Sequence, residues 1–182
     1  MPRYVALLRG INVGGRNRIP MAELRACVEA GGFDDVVTYI QSGNVLFRSQ
    51  DTGAAALAAR LERLLAEAFD YEASVVLRTH AQMRAVVRGA PQGFGADPSG
   101  FRSDVIFLKA PLTAATALRD LPTKPGVDEA HGRRGVLYVS RVASRATQSR
   151  VGQVAALPMY RNMTIRNWRT TTTLLEMLDG AG

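Results

Sequence analysis

Residues 36 to 48 read Val-Val-Thr-Tyr-Ile-Gln-Ser-Gly-Asn-Val-Leu-Phe-Arg. Two runs rich in β-branched and aromatic residues, Val36 to Gln41 and Val45 to Arg48, flank Ser42-Gly43-Asn44. Such side chains suit a pleated, half-buried surface, and Gly beside Asn tolerates left-handed backbone, so the stretch predicts a hairpin. The flanks decide what this hairpin belongs to. Upstream, Tyr4 to Leu8 is a continuous apolar run, and Pro20 to Ala30 reads as a helix with Pro20 in its first turn and Gly31-Gly32 as its stop. Downstream, Leu57, Leu61, Leu64, Leu65 and Ala68 recur at helical spacing, and Ser74 to Leu77 returns to strand. The order is βαββαβ, the ferredoxin-like arrangement. In the first strand Val5 and Leu7 point one way and Tyr4, Ala6 and Leu8 the other, all apolar, so both faces of the sheet should be covered.

The second half repeats the pattern in outline. A helix over Ala81 to Arg88 leads into a connection, residues 89–100, punctuated by Pro91, Gly93, Gly95 and Pro98-Ser99-Gly100. Strands are expected over Asp104 to Lys109, near Val127 to Ala130, over Val136 to Arg141 and over Met163 to Arg166, with helices over Ala114 to Asp120 and Val151 to Leu157. Trp168 to Leu178 closes the chain as a helix. The expected fold is therefore α+β, two ferredoxin-like βαββαβ modules packed together, residues 1–88 and 101–182, with an extra C-terminal helix. No residue-level repeat between the halves is visible.

Composition bounds the function. The chain has 182 residues, 47% of them hydrophobic and 21% charged, an ordinary globular balance. No apolar run approaches the ~18 residues a membrane span needs, and the N-terminus opens on a strand instead of a signal sequence, so a cytoplasmic, bacterial-type protein is expected. Cys27 is the sole cysteine, which excludes an internal disulfide and any Cys-x-x-Cys pair. It sits mid-helix between Ala26 and Val28, the place of a small buried hydrophobe. His80 and His131 have no ligand spacing, so no metal and no cofactor are expected. The formal charge of +7 would favour anionic partners, yet the basic residues are nearly all Arg and are scattered from Arg3 to Arg169, as a GC-rich genome would also produce.

The richest polar stretch is Arg9-Gly10-Ile11-Asn12-Val13-Gly14-Gly15-Arg16-Asn17, between the first strand and the first helix. It is no phosphate loop of the Walker type, because Arg16 stands where Lys belongs, Asn17 replaces the Mg²⁺-binding hydroxyl, and the helix starts too late. Topology supplies the stronger argument. A right-handed βαβ crossover makes strands one and two parallel, so the loop leaving the first and the turn leaving the second emerge at one edge, beside the N-terminus of the first helix. Arg9, Asn12, Gly14, Gly15, Arg16, Arg18, Gln41, Ser42 and Asn44 should converge there and could surround a small anion. The plain alternative is structural: Gly43-Asn44 as an ordinary turn, Gly14-Gly15 as a tight bend, Asn12 as a loop cap. Arg166-Asn167-Trp168-Arg169 opens the last helix, either anchoring it by Trp168 or adding Arg166 and Asn167 to the site. No catalytic set is visible; Ser42 lies outside any Gly-x-Ser-x-Gly elbow.

Four of these stretches together resemble the bacterial domain-of-unknown-function family 1697: Arg9-Gly10-Ile11-Asn12-Val13-Gly14-Gly15, Met21 with Glu23-Leu24-Arg25, Tyr39-Ile40-Gln41-Ser42-Gly43-Asn44-Val45, and Thr164-Ile165-Arg166-Asn167-Trp168. The resemblance spans nearly the whole chain and implies a two-part α+β fold with ferredoxin-like modules; it brings no activity with it. Arg141 to Gly152 departs from the family pattern. Three readings of function stand: binding of a small phosphate- or nucleotide-like anion, a protein-interaction module without small ligand, and single-stranded nucleic-acid binding. The last is disfavoured because the strand Asn44 to Ser49 lacks an aromatic recognition pattern and Phe47 alone suits a core. Oligomeric state is open.

Overall fold

The computed structural model describes residues 1–180. β1 (Arg3–Leu8) enters α1 (Met21–Ala30), then β2 (Asp34–Tyr39), β3 (Asn44–Arg48), α2 (Ala54–Phe69), β4 (Val75–Thr79) and α3 (His80–Arg88). The four strands form one antiparallel sheet in the order β2-β3-β1-β4. Both face sets of β1 are buried, as its unbroken apolar run predicts; Tyr4 to Leu8 are each at most 2% exposed. On one face Tyr4, Ala6, Leu8 and Phe47 pack with Leu24 and Val28 of α1 and Leu57, Leu61 and Leu65 of α2. Phe47 stacks on Tyr4 at 5.5 Å and meets the edge of Phe33 at 4.9 Å, so it is core and not a platform for a base.

The chain continues through β5 (Phe101–Leu108), α4 (Ala114–Asp120), β6 (Asp128–Arg133) and β7 (Val136–Val142) to β8 (Met163–Asn167) and α5 (Trp168–Gly180). The second sheet has the order β6-β7-β5-β8, the same topology as the first. Its core gathers Ile106, Leu108, Leu137, Val139 and Met163 with Ala117 and Leu121. The two units are Met1–Arg84 with the segment from Leu174, and Ala85–Thr173.

One element differs from expectation. Where the first unit has the long α2, the second has three short 3-10 turns, Ala143–Gln148, Val151–Ala156 and Pro158–Asn162. Gly152 weakens helix propagation and Pro158 ends it, leaving a run too short to repay helix nucleation. Val151 and Val154 still reach the core. A cavity of about 150 Å³ remains beneath them, lined also by Gly152, Tyr160 and the Asp104–Arg141 ion pair. Burial outweighs Arg141 there and pushes the Asp104 carboxyl up from its ordinary value.

The repeat expected from the order of elements, without counterpart in residue identity, is plain in the backbone. Leu8 N donates to Gly43 O at 2.8 Å and Leu108 N to Gly135 O at 2.9 Å, while Arg9 N donates to Ser74 O at 3.0 Å and Lys109 N to Asn162 O at 2.8 Å. Arg78 and Arg166 occupy the same position in the last strand of their modules, and each donates Nη1 to the preceding carbonyl at 2.9 Å. Burial lowers each guanidinium from the usual range to about 10.

Candidate functional site

The segment after β1 is a small finger. Asn12 N donates to Asn17 O at 3.0 Å and Arg16 N to Val13 O at 3.1 Å, with a bridge pairing Val13 and Arg16. Gly14 (φ +59) and Gly15 (φ +75) are the two central residues of the turn, the left-handed pair that a type I′ hairpin requires. The chain thus doubles back on itself instead of wrapping a phosphate as a Walker loop does.

Asn12 clasps the finger to the neighbouring turn. Its Nδ2 donates to Gln41 O at 2.9 Å and to Ile19 O at 3.0 Å, and its Oδ1 accepts from Ile19 N at 2.8 Å. The loop leaving β1 and the turn leaving β2 therefore meet, as the crossover argument requires. Beneath them Ile11 is fully buried, and a Cβ on Gly43 (φ +81) would lie 2.6 Å from Ile11 Cδ1, so only glycine fits. Asn44 is also fully buried; its Nδ2 donates to Tyr39 O at 2.9 Å and to Ser42 Oγ at 3.0 Å. The two asparagines act as structure: their amides are spent on holding the turns.

The groups facing outward are others. Gly14, Gly15, Arg16, Arg18 and Gln41 are exposed, and Arg9 and Ser42 half-buried. Arg18 lies against the glycine tip, its Nη2 3.8 Å from where a Gly15 Cβ would sit. α1 begins at Met21 with no side-chain cap, but Glu23 occupies its first turn and offsets part of the positive helix end. Val13 is 64% and Ile40 46% exposed, two apolar side chains at this edge beside the polar residues that the sequence singles out. Ile40 also holds φ +48, a backbone region that costs a β-branched residue about 1 to 3 kcal/mol and is met chiefly where surrounding structure enforces it.

Arg166 and Asn167 lie in the second unit. Arg166 is buried and donates to Thr164 Oγ1 at 2.9 Å, and Asn167 Oδ1 caps α5 by accepting from Thr170 N at 2.7 Å. Trp168 packs edge-on against Phe94 at 5.1 Å, the anchoring role open to it from sequence. Cys27 is half-buried within α1, and burial pushes its thiol up, away from nucleophilic use. His80 bonds Asp179 and His131 bonds Glu129. Among the described residues no three His, Cys, Asp or Glu side chains gather as round a metal ion, and no helix is long and apolar enough to cross a membrane.

Two ferredoxin-like modules, one bearing a finger clasped to its central turn, define the class of protein. The chain belongs to the family described as protein of unknown function (DUF1697), whose profile matches residues 1–138. Among solved structures it is similar to the conserved bacterial protein SP0830 from Streptococcus pneumoniae, at 29% identity and a TM-score of 0.83, over 97% of this chain and 98% of that one. No curated protein matches.

Proposed function

We propose that the finger and the Gln41-Ser42-Gly43 turn form a binding edge for a small anionic ligand of phosphate or nucleotide type. One observation carries the reading: the second module closes the equivalent strand-to-helix junction through Lys109 to Thr113 alone, with no finger, and keeps the same sheet order. A fold that closes without the finger does not need it, and surplus loops on a rigid scaffold are where binding residues concentrate. The turn spends Asn12 N and Arg16 N on its own hydrogen bonds and presents the Gly14 and Gly15 amides at its exposed tip. Arg16 and Arg18 stand beside them as planar donors suited to phosphate oxygens. Arg9 and Ser42 border the edge, while Asn12 and Asn44 set its shape. Arg166 and Asn167 are no part of this reading.

The test is thermal. Inorganic phosphate, ribose 5-phosphate, AMP and ATP are titrated against the full chain and against a variant in which 12–18 is replaced by a short connection like that of the second module. A ligand at a hundredfold excess over its Kd should raise Tm by about 5 to 10 °C in the full chain and not in the variant. Equal shifts in both, or none with any compound, overturn the proposal.

The exposure of Val13 and Ile40 favours a second reading, a protein-interaction edge. It predicts a partner or dimer, seen by sizing, that Val13→Ser with Ile40→Ser abolishes while the far-UV circular dichroism spectrum stays that of the folded parent.

A further inference from the structure

Scattered along the sequence, the positive charge gathers in one half of the fold. Ala85–Thr173 holds thirteen Arg and Lys against five Asp and Glu, a formal +8, whereas the other unit holds ten against eleven, a formal −1. The second unit also sorts its charges from end to end. Hydrogen bonds from Leu108 N to Gly135 O at 2.9 Å and from Lys109 N to Asn162 O at 2.8 Å bring three segments to one end of its sheet: the exit of β5, the β6-β7 turn and the entry to β8. Lys109, Arg133, Arg134 and Arg161 stand in them, with no Asp or Glu among 109–113, 133–135 or 158–162. Every carboxylate of the unit is engaged elsewhere. Asp97 accepts from Ser99 Oγ and Gly100 N, Asp104 pairs with Arg141, Asp120 pairs with Arg119, Asp128 accepts from the Lys124 and Arg150 amides, and Glu129 holds His131. Arg133, Arg134 and Arg161 are exposed, and none of those carboxylates is spent on them.

We infer that this end of the second unit binds the phosphodiester backbone of a nucleic-acid duplex, whatever its base sequence. Charge complementarity fixes the sign of the partner, and the reach of the arginine row fixes its kind. Arg133 closes β6 and Arg161 precedes β8, so in the order β6-β7-β5-β8 they stand three strand spacings apart, about 14 Å. Each strand of a duplex presents a phosphate every ~3.4 Å along its axis, so a row of that length faces several phosphates at once, where a small anion would meet one arginine. Guanidinium groups suit them as planar forks. Other partners fit less well. Single strands are held by bases stacked on aromatic rings, and the one exposed aromatic side chain among the described residues is Phe101, at the opposite end of β5. Protein interfaces are built round an apolar centre, yet the unit's other exposed large apolar side chain, Leu118, lies over Gly132 from α4 and not among the three arginines. The row belongs to the second unit and does not depend on what the finger binds.

The probe is a fluorescein-labelled DNA duplex of about 20 base pairs, titrated with the full chain by anisotropy between about 50 and 200 mM NaCl. Three phosphate contacts predict that log K falls with log salt at a slope of about −2.7, a loss of about fortyfold over that range. A duplex of scrambled sequence should bind within about twofold of the first. Arg134→Gln should weaken binding several fold and make the slope shallower by about 1, and Arg134→Lys should keep the parent slope. Arg145→Gln removes the same net charge beyond the other end of β7 and should leave affinity and slope unchanged. All three positions concern exposed side chains, so the far-UV circular dichroism spectrum should stay that of the parent. No duplex binding at the lowest salt, a slope that Arg134→Gln does not change, or an equal loss in Arg145→Gln overturns the inference. So does tighter binding of the single strand or of polyglutamate than of the duplex, which would assign the row to a different polyanion.

Discussion

The first unit covers its sheet with two α-helices; the second keeps the strand order and the equivalent backbone hydrogen bonds but replaces one helix with 3-10 turns and omits the finger. What both retain, the hydrogen bonds locking strand one between strands three and four, is what the fold demands. What only one has is free to serve something else. The finger is an addition to the first module, and the cavity beside Asp104 and Arg141 is a subtraction from the second.

Substitutions that separate the modules test this division. The largest effect is expected at Leu61, 1% exposed in α2; Leu61→Ala should lose about 2 to 5 kcal/mol in urea unfolding, since a packed helix relaxes little around a hole. A loss below 1 kcal/mol would mean that α2 packs as loosely as the turns that replace it. Asn12→Ala removes the clasp and should cost about 1 to 3 kcal/mol, chiefly by stranding the Ile19 amide. Hydrogen exchange should then quicken across 12–19 while the second unit stays protected. Gly152→Ala carries the opposite sign. A Cβ there meets nothing within 4 Å, so the variant should gain about 0.4 to 1 kcal/mol by restricting the unfolded chain.

The smallest effect is electrostatic. Hydrogen bonds from Arg84 and His80 hold the Asp179 carboxyl below its usual 3.8. A carboxylate lowered in the folded state stabilises above its unfolded value of about 4, and that contribution fades as pH falls through the folded value. Asp179→Asn should therefore lower Tm slightly at pH 5, and the difference should shrink as the pH falls below the unfolded value. A difference independent of pH would assign the residue a role other than its charge.

Much of this architecture was legible because periodicity is local. Leu57, Leu61 and Leu65 mark α2, and the runs either side of Ser42-Gly43-Asn44 mark the hairpin. From sequence the finger reads only as a loop with Gly14-Gly15 as its tight bend, because Val13 and Arg16 are too short a pair of strands to show alternation, although Gly14-Gly15 is the I′ signature. That the two turns meet followed from handedness; that Asn12 joins them did not, since its partner Gln41 lies far along the chain. The polar strand β6, Asp-Glu-Ala-His-Gly-Arg, has little intrinsic strand preference and is held by its pairing with β7. The burial of Arg78 and Arg166 was not legible for the same reason: nothing around an arginine in sequence tells that tertiary packing will enclose it. The duplication was legible in the order of elements but not residue by residue, because its detailed correspondence resides in hydrogen-bond pattern and not in side-chain identity.

The close approach of Gly95 to Trp168, where a Cβ would fall 2.0 Å from the indole, has a spectroscopic consequence. The chain's single tryptophan sits wholly within Ala85–Thr173, walled by glycine backbone and the edge of Phe94. Its emission is therefore a private optical gauge of that half, whereas circular dichroism averages both. Melting curves recorded by the two methods will coincide if the halves unfold as one cooperative body and part company if they do not.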